Sequence, residues 1–286
     1  MSNNIFLNII VLFSPNYEKT NQLGCVIKNI SLINQFIAFY RSIKKNIKNI
    51  KYDISIVHHK DFNMKDLSKL NSIDVNLIKF DCDKIEDVAL SRYNVDTRIK
   101  GTHRLIAETD MLFLKEPNFN WNVDFQKMYA GSSKTFPINI MNKIYKIYNI
   151  KNKYIKNYNI NHDLFVSYNV KKINKKYLFP HFNNGLTLIK EDFAKKFFEK
   201  IISLDLFNRF YINFDKKYYY HAFQIIYGLV LLELTDNWEP FEPGINYLLK
   251  VYNCNKFGKD NISLLHYCGC GAGKIALKEF PDYFKN

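Results

Sequence analysis

Two carboxylates interrupt an apolar run in the stretch Ile106–Leu114, which reads IAETDMLFL. Glu108 and Asp110 stand two positions apart, with apolar residues on both sides. In an extended strand, side chains two positions apart point the same way, so we expect both carboxylates on one face. Two acids in partly dry surroundings are costly unless a cation lies between them. Oxygen ligands of this kind suit Mg²⁺ or Mn²⁺, and a polar turn is the alternative interpretation.

The chain around this stretch alternates between strand-like and helix-like patterns. Apolar runs typical of buried strands occur at 5–13, 52–59, 71–80 and 103–114, and apolar residues at helical spacing predict a helix over 27–48. This alternation predicts an α/β fold with a mostly parallel, Rossmann-like central sheet flanked by helices on both faces.

The expected sheet also indicates where a ligand would bind. Ligands of such sheets lie beyond the carboxyl ends of the strands. Phe13 and Ser14 end the first predicted strand, so we expect them on the same rim as Glu108 and Asp110.

The second half of the chain opens with a Lys-, Asn- and Tyr-rich segment at 139–178, which we interpret as a basic insertion. Further predicted elements are a strand at 184–190 and helices at 191–204 and 218–234. No Pro/Gly-rich linker divides the sequence, so we expect a single domain over all 286 residues.

The composition indicates which partners the protein binds and in which compartment it lies. The net charge of +14 favours anionic partners such as phosphorylated ligands, nucleic acid or an acidic membrane face, although the codon bias of an AT-rich genome, a viral one included, would also enrich Lys. Five scattered cysteines favour a reducing compartment. We find no signal peptide and no apolar run long enough to span a bilayer, so we expect a cytoplasmic protein, in the host cytoplasm if the source is a virus.

A structural zinc site is the weaker interpretation of the C-terminal His266, Cys268 and Cys270. They are spaced at i, i+2 and i+4, and no CxxC pair accompanies them.

In its wider context, the acidic stretch resembles the DxD region of GT-A glycosyltransferases, in particular family 8-like enzymes. The basic run 100–104 precedes it and Pro117 closes the segment. Here the first acid is Glu rather than Asp. The resemblance implies that Asp110 ligates a divalent metal and that Glu108 contacts the metal or the ribose.

Three later segments match the same family in order. HFNNGLTLIKEDFAKKF (181–197) resembles a segment that lines the donor-sugar pocket, HAFQIIYGLVLLEL (221–234) resembles a helix with an acid–Gln pair, and LLHYCG (264–269) resembles a His-x-x-Gly segment. The resemblance divides the chain into a nucleotide-binding half over 1–120 and a donor-sugar and acceptor half over 121–286.

The resemblance also assigns expected roles to single residues. His266 would complete the metal site with Glu108 and Asp110, and Asn184 and Gln224 would act at the reacting sugar. The expected donor contacts, including phosphate contacts from the basic residues, are Phe13, Ser14, Lys100, Arg104, Glu108, Asn183, Gly185, Gly269 and Lys274.

The implied reaction is metal-dependent transfer of a sugar from a nucleotide-diphosphate sugar, with a UDP-sugar favoured, to a hydroxyl of a glycan, protein or lipid-linked acceptor. The His-x-x-Gly segment favours retention of stereochemistry. An inverting enzyme would need a base, for which His181, Asp215 and His221 are candidates.

Two other functions remain as alternatives. A sugar-phosphate nucleotidyltransferase would share the sheet, but it would normally carry a Gly-rich basic loop after the first strand, where this chain reads FSPNYEKTNQLG. A basic nucleic-acid-binding protein would bind oligonucleotides in a salt-sensitive way. That function gives no reason for acids inside an apolar run, so we do not expect nucleic acid as the partner.

Overall fold

The structure is a computed structural model. It describes residues 5–13, 30–62, 67–81, 90–129, 144, 146–148, 155–156, 177–178, 182–205, 209, 219–242, 244–248, 258–267 and 272–285. The basic insertion predicted at 139–178 lies almost entirely outside these residues, and so do all five cysteines of the chain.

Strands make up most of the described elements. In chain order they are β1 (Phe6–Phe13), β2 (Lys51–His59), β3 (Asn76–Phe80), β4 (His103–Ala107), β5 (Met111–Phe113), β6 (Phe125–Tyr129), β7 (Ile155–Lys156), β8 (Tyr177–Leu178), β9 (Phe182–Lys190), β10 (Trp238–Pro240), β11 (Tyr247–Leu248) and β12 (Leu264–His266). The helices are α1 (Leu32–Asn46), α2 (Glu191–Ser203), α3 (Tyr219–Leu234) and α4 (Ala272–Glu279), with short 3₁₀ helices at Lys259–Asn261 and Pro281–Tyr283.

A seven-stranded sheet forms the centre, in the order β10-β6-β9-β4-β1-β2-β3. Strand β9 runs antiparallel to its neighbours β4 and β6, whereas the other pairs of this sheet are parallel. The mostly parallel sheet expected from the alternating pattern is therefore confirmed. A smaller sheet contains β11, β12 and β5, and β7 pairs with β8.

Both faces of the large sheet are covered, which explains why β1 is a continuous apolar run. Ile9 and Val11 point into the main hydrophobic core, whereas Ile10 packs with Val57 and Val95 in a second cluster. All five of these side chains are buried.

The first helix covers part of this core. Its N-terminus is capped by Ser31, whose Oγ accepts a hydrogen bond from the backbone N–H of Asn34. Lys44 and Lys45 occupy the last turn, where cations interact favourably with the helix dipole. Helix α1 packs against β5, and α2 and α3 pack against each other and against β9.

The reversed direction of β9 has a consequence for the rim, by which we mean the edge of the large sheet where β1, β2 and β4 end. Because β9 is antiparallel to β4, its first residues lie beside the last residues of β4, with Ala107 opposite Leu186. Asn183, Asn184 and Gly185 are therefore carried to the rim.

The expectation of one strand carrying both acids was wrong. Strand β4 ends at Ala107, the chain bends through Glu108, Thr109 and Asp110, and β5 then begins in the smaller sheet. The break has a physical reason, because a strand with both faces covered offers a carboxylate neither water nor a polar partner. After the break, 25% of the Glu108 side chain is exposed, and Asp110 lies beside His266. The acids instead lie at the junction of the two sheets.

Arg104 offers a test of what stabilises the opposite edge of the sheet. Its guanidinium, with 6% of the side chain exposed, pairs with Glu191 at the start of α2. Removing one partner of a buried pair leaves an uncompensated charge. We expect Glu191→Gln to lower the free energy of unfolding by roughly 2 to 4 kcal/mol, measured by urea denaturation.

A suitable control for this substitution is Glu199→Gln on the exposed side of the same helix. It should change the free energy of unfolding by less than about 0.5 kcal/mol. Equal effects of the two substitutions would show that the ion pair of Arg104 does not stabilise the fold.

Candidate metal and donor site

Two neighbouring carboxylates and a histidine that lies far from them in the sequence converge at the junction of the two sheets. Nε2 of His266 lies 3.3 Å from Oε2 of Glu108 and 3.4 Å from Oδ1 of Asp110. Their ligand atoms all lie within 4.8 Å of one another. We call Glu108, Asp110 and His266 the ligand cluster. Within the described part of the chain it is the one such group of His, Cys, Asp or Glu side chains.

The imidazole of His266 is oriented by Asn246. The Nδ2 group of Asn246 donates to Oδ1 of Asn183 at 3.1 Å, so Oδ1 of Asn246 is the end that faces His266. Nδ1 of His266 lies 2.8 Å from this oxygen and must therefore carry the proton. That tautomer directs the lone pair of Nε2 towards the two carboxylates, as in a metal-binding histidine held by a second residue.

The donor set fits a divalent metal. Oδ1 of Asp110 is buried and has no hydrogen-bond partner among the described residues. A buried carboxylate oxygen of this kind is costly unless a cation or a donor satisfies it. Two carboxylates with one imidazole suit Mn²⁺. They also suit Mg²⁺, which has less preference for the nitrogen ligand.

The exposure of the cluster shows from which side it can be reached. The Asp110 and His266 side chains are buried, whereas 25% of the Glu108 side chain is exposed. A ligand therefore approaches past Glu108, and the other two side chains form the floor of the site.

Backbone hydrogen bonds fix the two chain segments that carry the cluster. The backbone N–H of Glu108 donates to the carbonyl of Gly185 at 3.0 Å, and that of Tyr267 donates to the carbonyl of Asp110 at 2.9 Å. The phenol of Tyr267 is also buried, and burial together with the nearby Asp110 charge raises its pKa well above the ordinary value.

Gly185 is required by the close approach of His266. A Cβ atom at this position would lie 2.5 Å from Cε1 of the imidazole and 2.9 Å from Oδ1 of Asn183. Gly185 was predicted to contact the donor, and that contact stays a prediction. The structure shows that Gly185 makes room for His266 of the ligand cluster.

The two predicted asparagines are placed differently. Asn183 is buried, and its Oδ1 accepts hydrogen bonds from the backbone N–H of Gly185 and from Asn246. Asn184 is half-buried, and its Oδ1 accepts a hydrogen bond from Nζ of Lys127 at 2.9 Å. Asn183 thus belongs to the frame of the site, whereas Asn184 lies at its surface.

Lys127 is a fully buried lysine on β6. Burial lowers its pKa to about 7, the charge of Arg92 adds to this effect, and the Glu108 carboxylate opposes it. Its ammonium donates to Oγ1 of Thr187 at 2.8 Å as well as to Asn184. Buried hydrogen bonds therefore partly offset the cost of this charge.

Two of the basic residues predicted to contact phosphate lie away from the cluster. Arg104 is paired with Glu191, and Lys100 is exposed in the loop before β4, so both lie at the edge of the sheet opposite the rim. Lys274 is exposed on α4. Ser14 and Gly269 lie outside the described residues.

Two further predicted residues are buried. The ring of Phe13 packs against Phe36 and Phe62, with centroids 5.5 and 5.2 Å away, and so belongs to the core beneath the rim. Gln224 is buried on α3. Of the three candidate bases, His181 and Asp215 lie outside the described residues, and His221 belongs to the first turn of α3.

Sequence reasoning missed Asn246 and Lys127. The turn residues Pro243 and Gly244 predict a bend before Asn246. No local pattern links Asn246 to His266. Lys127 had a signal, because it alternates with Phe125 and Tyr129 on one face of a strand. A charge on such a face indicates a buried polar contact.

The contact between Gly185 and His266 can be tested with a single methyl group. We expect Mn²⁺ to raise the Tm of the unmodified protein, and we expect Gly185→Ala to displace the imidazole and to abolish this rise. Differential scanning calorimetry with and without Mn²⁺ measures this effect.

Gly101→Ala is the matched control, since its Cβ would lie 2.5 Å from Nδ2 of Asn8, far from the cluster. It should lower Tm but keep the shift with Mn²⁺. A shift of equal size in both variants would show that Gly185 does not shape a metal site.

The lowered pKa of Lys127 predicts a pH dependence of stability. The folded chain releases this proton near pH 7 and the unfolded chain near 10.5. Between these values the unfolded chain binds more protons, so the contribution of Lys127 to the unfolding free energy rises with pH. Lys127→Met should remove this rise, measured as the difference between the two proteins in urea unfolding at several pH values in this window. Parallel pH curves for the two proteins would contradict the assignment.

The chain is similar to known proteins in structure but not in sequence. No protein-family model matches the chain, and no curated protein is similar in sequence. Within the described residues, none of the helices combines the length and the hydropathy needed to cross a bilayer.

Two solved structures of glycosyltransferases are similar to this chain. The galactosyltransferase LgtC, solved with donor and acceptor sugar analogues, matches 97% of this chain and 95% of its own, with 9% identity and a TM-score of 0.53. The bifunctional glycosyltransferase WbbM matches 94% of this chain over 47% of its own, with 10% identity and a TM-score of 0.51. The chain therefore has the GT-A fold of glycosyltransferases.

Proposed function

We propose that this chain is a glycosyltransferase that moves a sugar from a nucleotide-diphosphate sugar, a UDP-sugar in preference, to an acceptor hydroxyl in a metal-dependent reaction. One observation carries the proposal, namely the ligand cluster at the rim of a GT-A fold. The fold alone is compatible with many functions. The cluster adds a specific chemistry, because its acids lie where ligands of such sheets bind.

The ligand cluster would hold a divalent cation through Asp110, Glu108 and the Nε2 atom of His266. When bound, such a cation neutralises charge on a diphosphate leaving group. Asn246 keeps His266 in the tautomer that can ligate, and Gly185 leaves it the space to do so. Both residues therefore serve the reaction by keeping this ligand in place.

The donor sugar would lie over the start of β9. Asn184 is half-buried there, and its amide can donate to a sugar hydroxyl. Glu108 adjoins this position, since its backbone N–H donates to the carbonyl of Gly185. The charges of Arg92 and Lys127 lie in the same region, where a donor with negative charge would benefit from them.

The proposal includes retention of stereochemistry and a glycan, protein or lipid-linked acceptor. It is supported by the resemblance of LLHYCG to the corresponding segment of retaining families, and the histidine of this segment joins the ligand cluster. Proton NMR of the first-formed product would read the anomeric configuration directly.

The test of the proposal is calorimetric titration of UDP and GDP, with and without Mn²⁺, into the unmodified protein and Asp110→Asn. We expect UDP to bind only with Mn²⁺, more tightly than GDP, and we expect Asp110→Asn to lower this affinity by more than about a hundredfold. The substitution keeps the shape of the side chain and removes its charge.

Asp192→Asn is the control, because Asp192 is an exposed acid on α2 at the opposite edge of the sheet. It should bind UDP as the unmodified protein does. If neither nucleotide binds with Mn²⁺, or if binding survives in Asp110→Asn, the proposed function is wrong. Salt-sensitive binding of oligonucleotides would then point to a nucleic-acid-binding protein.

A further inference from the structure

The start of β9 bulges away from β6. Lys127 pairs with Thr187 and Tyr129 pairs with Phe182, so a step of two residues on β6 faces a step of five on β9. The surplus residues of β9 are Asn183, Asn184 and Gly185. Bulges of this kind redirect side chains and often occur beside functional sites.

The side chain of Lys127 reaches into this bulge. Its ammonium bonds to Oγ1 of Thr187, where the regular pairing ends, and to Oδ1 of Asn184 inside the bulge, at 2.8 and 2.9 Å. Lys127 is 0% exposed. It therefore cannot touch a ligand itself, and it acts on the site only through the residues that it binds.

The side-chain amides of the two asparagines in the bulge differ in their hydrogen bonds. Oδ1 of Asn183 accepts two hydrogen bonds within the protein, and the residue is buried. Asn184 is half-buried, and no described residue accepts a hydrogen bond from its Nδ2 group. Since Lys127 holds Oδ1, the amide of Asn184 cannot rotate to exchange its ends without losing a charge-assisted hydrogen bond. The donor end of the amide is thus the end left for a ligand.

We propose that Lys127 is a positioning residue, which fixes the amide of Asn184 so that its N–H groups donate to the sugar of the nucleotide-sugar donor. This inference rests on the proposed function. An apolar side chain would fill the same space without the cost of a buried charge. The ammonium sets which end of Asn184 faces the donor, and it thereby selects donors with an accepting hydroxyl at that point.

The experiment compares a donor with its nucleotide. In the presence of Mn²⁺, calorimetry measures the affinities of UDP and of whichever of UDP-glucose, UDP-galactose and UDP-N-acetylglucosamine the unmodified protein binds most tightly. We expect Lys127→Met and Asn184→Ala each to weaken the UDP-sugar about three- to tenfold, the effect of one lost hydrogen bond, with UDP unchanged. The double variant should be no weaker than either single variant, because both remove the same contact.

Two further variants separate positioning from folding. Thr187→Val removes the other acceptor of Lys127 and leaves Asn184 intact, so the ratio of the UDP-sugar and UDP affinities should stay at the unmodified value. Lys127→Gln keeps a donor towards Asn184 and should retain more UDP-sugar affinity than Lys127→Met. It also supplies the comparison if Lys127→Met does not fold.

The outcomes distinguish the inference from the function on which it rests. If UDP binds with Mn²⁺ but the Lys127 variants weaken UDP and the UDP-sugar equally, or if the effects of Lys127→Met and Asn184→Ala add, the positioning role is wrong and the proposed function stands. If the unmodified protein binds neither UDP nor any of the three UDP-sugars, the inference is wrong, and the proposed function is wrong as well if GDP does not bind either.

Discussion

The cost of placing two neighbouring carboxylates in surroundings with little water is the constraint on which the site depends. Glu108 and Asp110 cannot stay inside the large sheet, so the chain bends between β4 and β5 and passes from one sheet to the other. The same bend brings Asp110 to the end of β12, where His266 lies. The fold thus carries an unfavourable local arrangement that a bound cation would relieve.

Asn246 holds the ligand cluster in place from the side of His266. Asn246 has a φ of 62°, in the left-handed region, which Asn adopts more readily than most residues. Its conformation lets one amide hold both His266 and Asn183. A short chain of hydrogen bonds therefore runs from the imidazole to the bulge at the start of β9, and it couples the metal ligand to the residues that we assign to the sugar.

Much of the fold could be predicted because its signals are local. The apolar run of β1 and the helical spacing of α1 follow from the burial of these elements. The acids and His266 were also found from the sequence. The bend at Glu108–Asp110 was not found, because an acid two positions from another fits both a strand and a turn. Only the pairing of β5 with β12 decides between them.

Other features depend on residues far apart in the sequence, so no local pattern reveals them. In the sequence, Asn246 is an ordinary loop asparagine, and only the structure shows that it bonds to His266. Arg104 was predicted to contact phosphate, and only the structure shows that it pairs with Glu191. The alternation around Lys127 indicates a buried polar contact, but nothing local shows that its partners are Asn184 and Thr187. In the structure Lys127 is surrounded on all sides.

The antiparallel pairing of Tyr129 with Phe182 bears on how such a protein can diversify. The long segment between these residues therefore begins and ends at neighbouring positions of the sheet. Closing a loop that is twice as long costs only about 0.6 kcal/mol more. Changes in the length of this segment therefore cost little in loop-closure free energy, and the pairing that closes the segment, with the rim beside it, can persist through them.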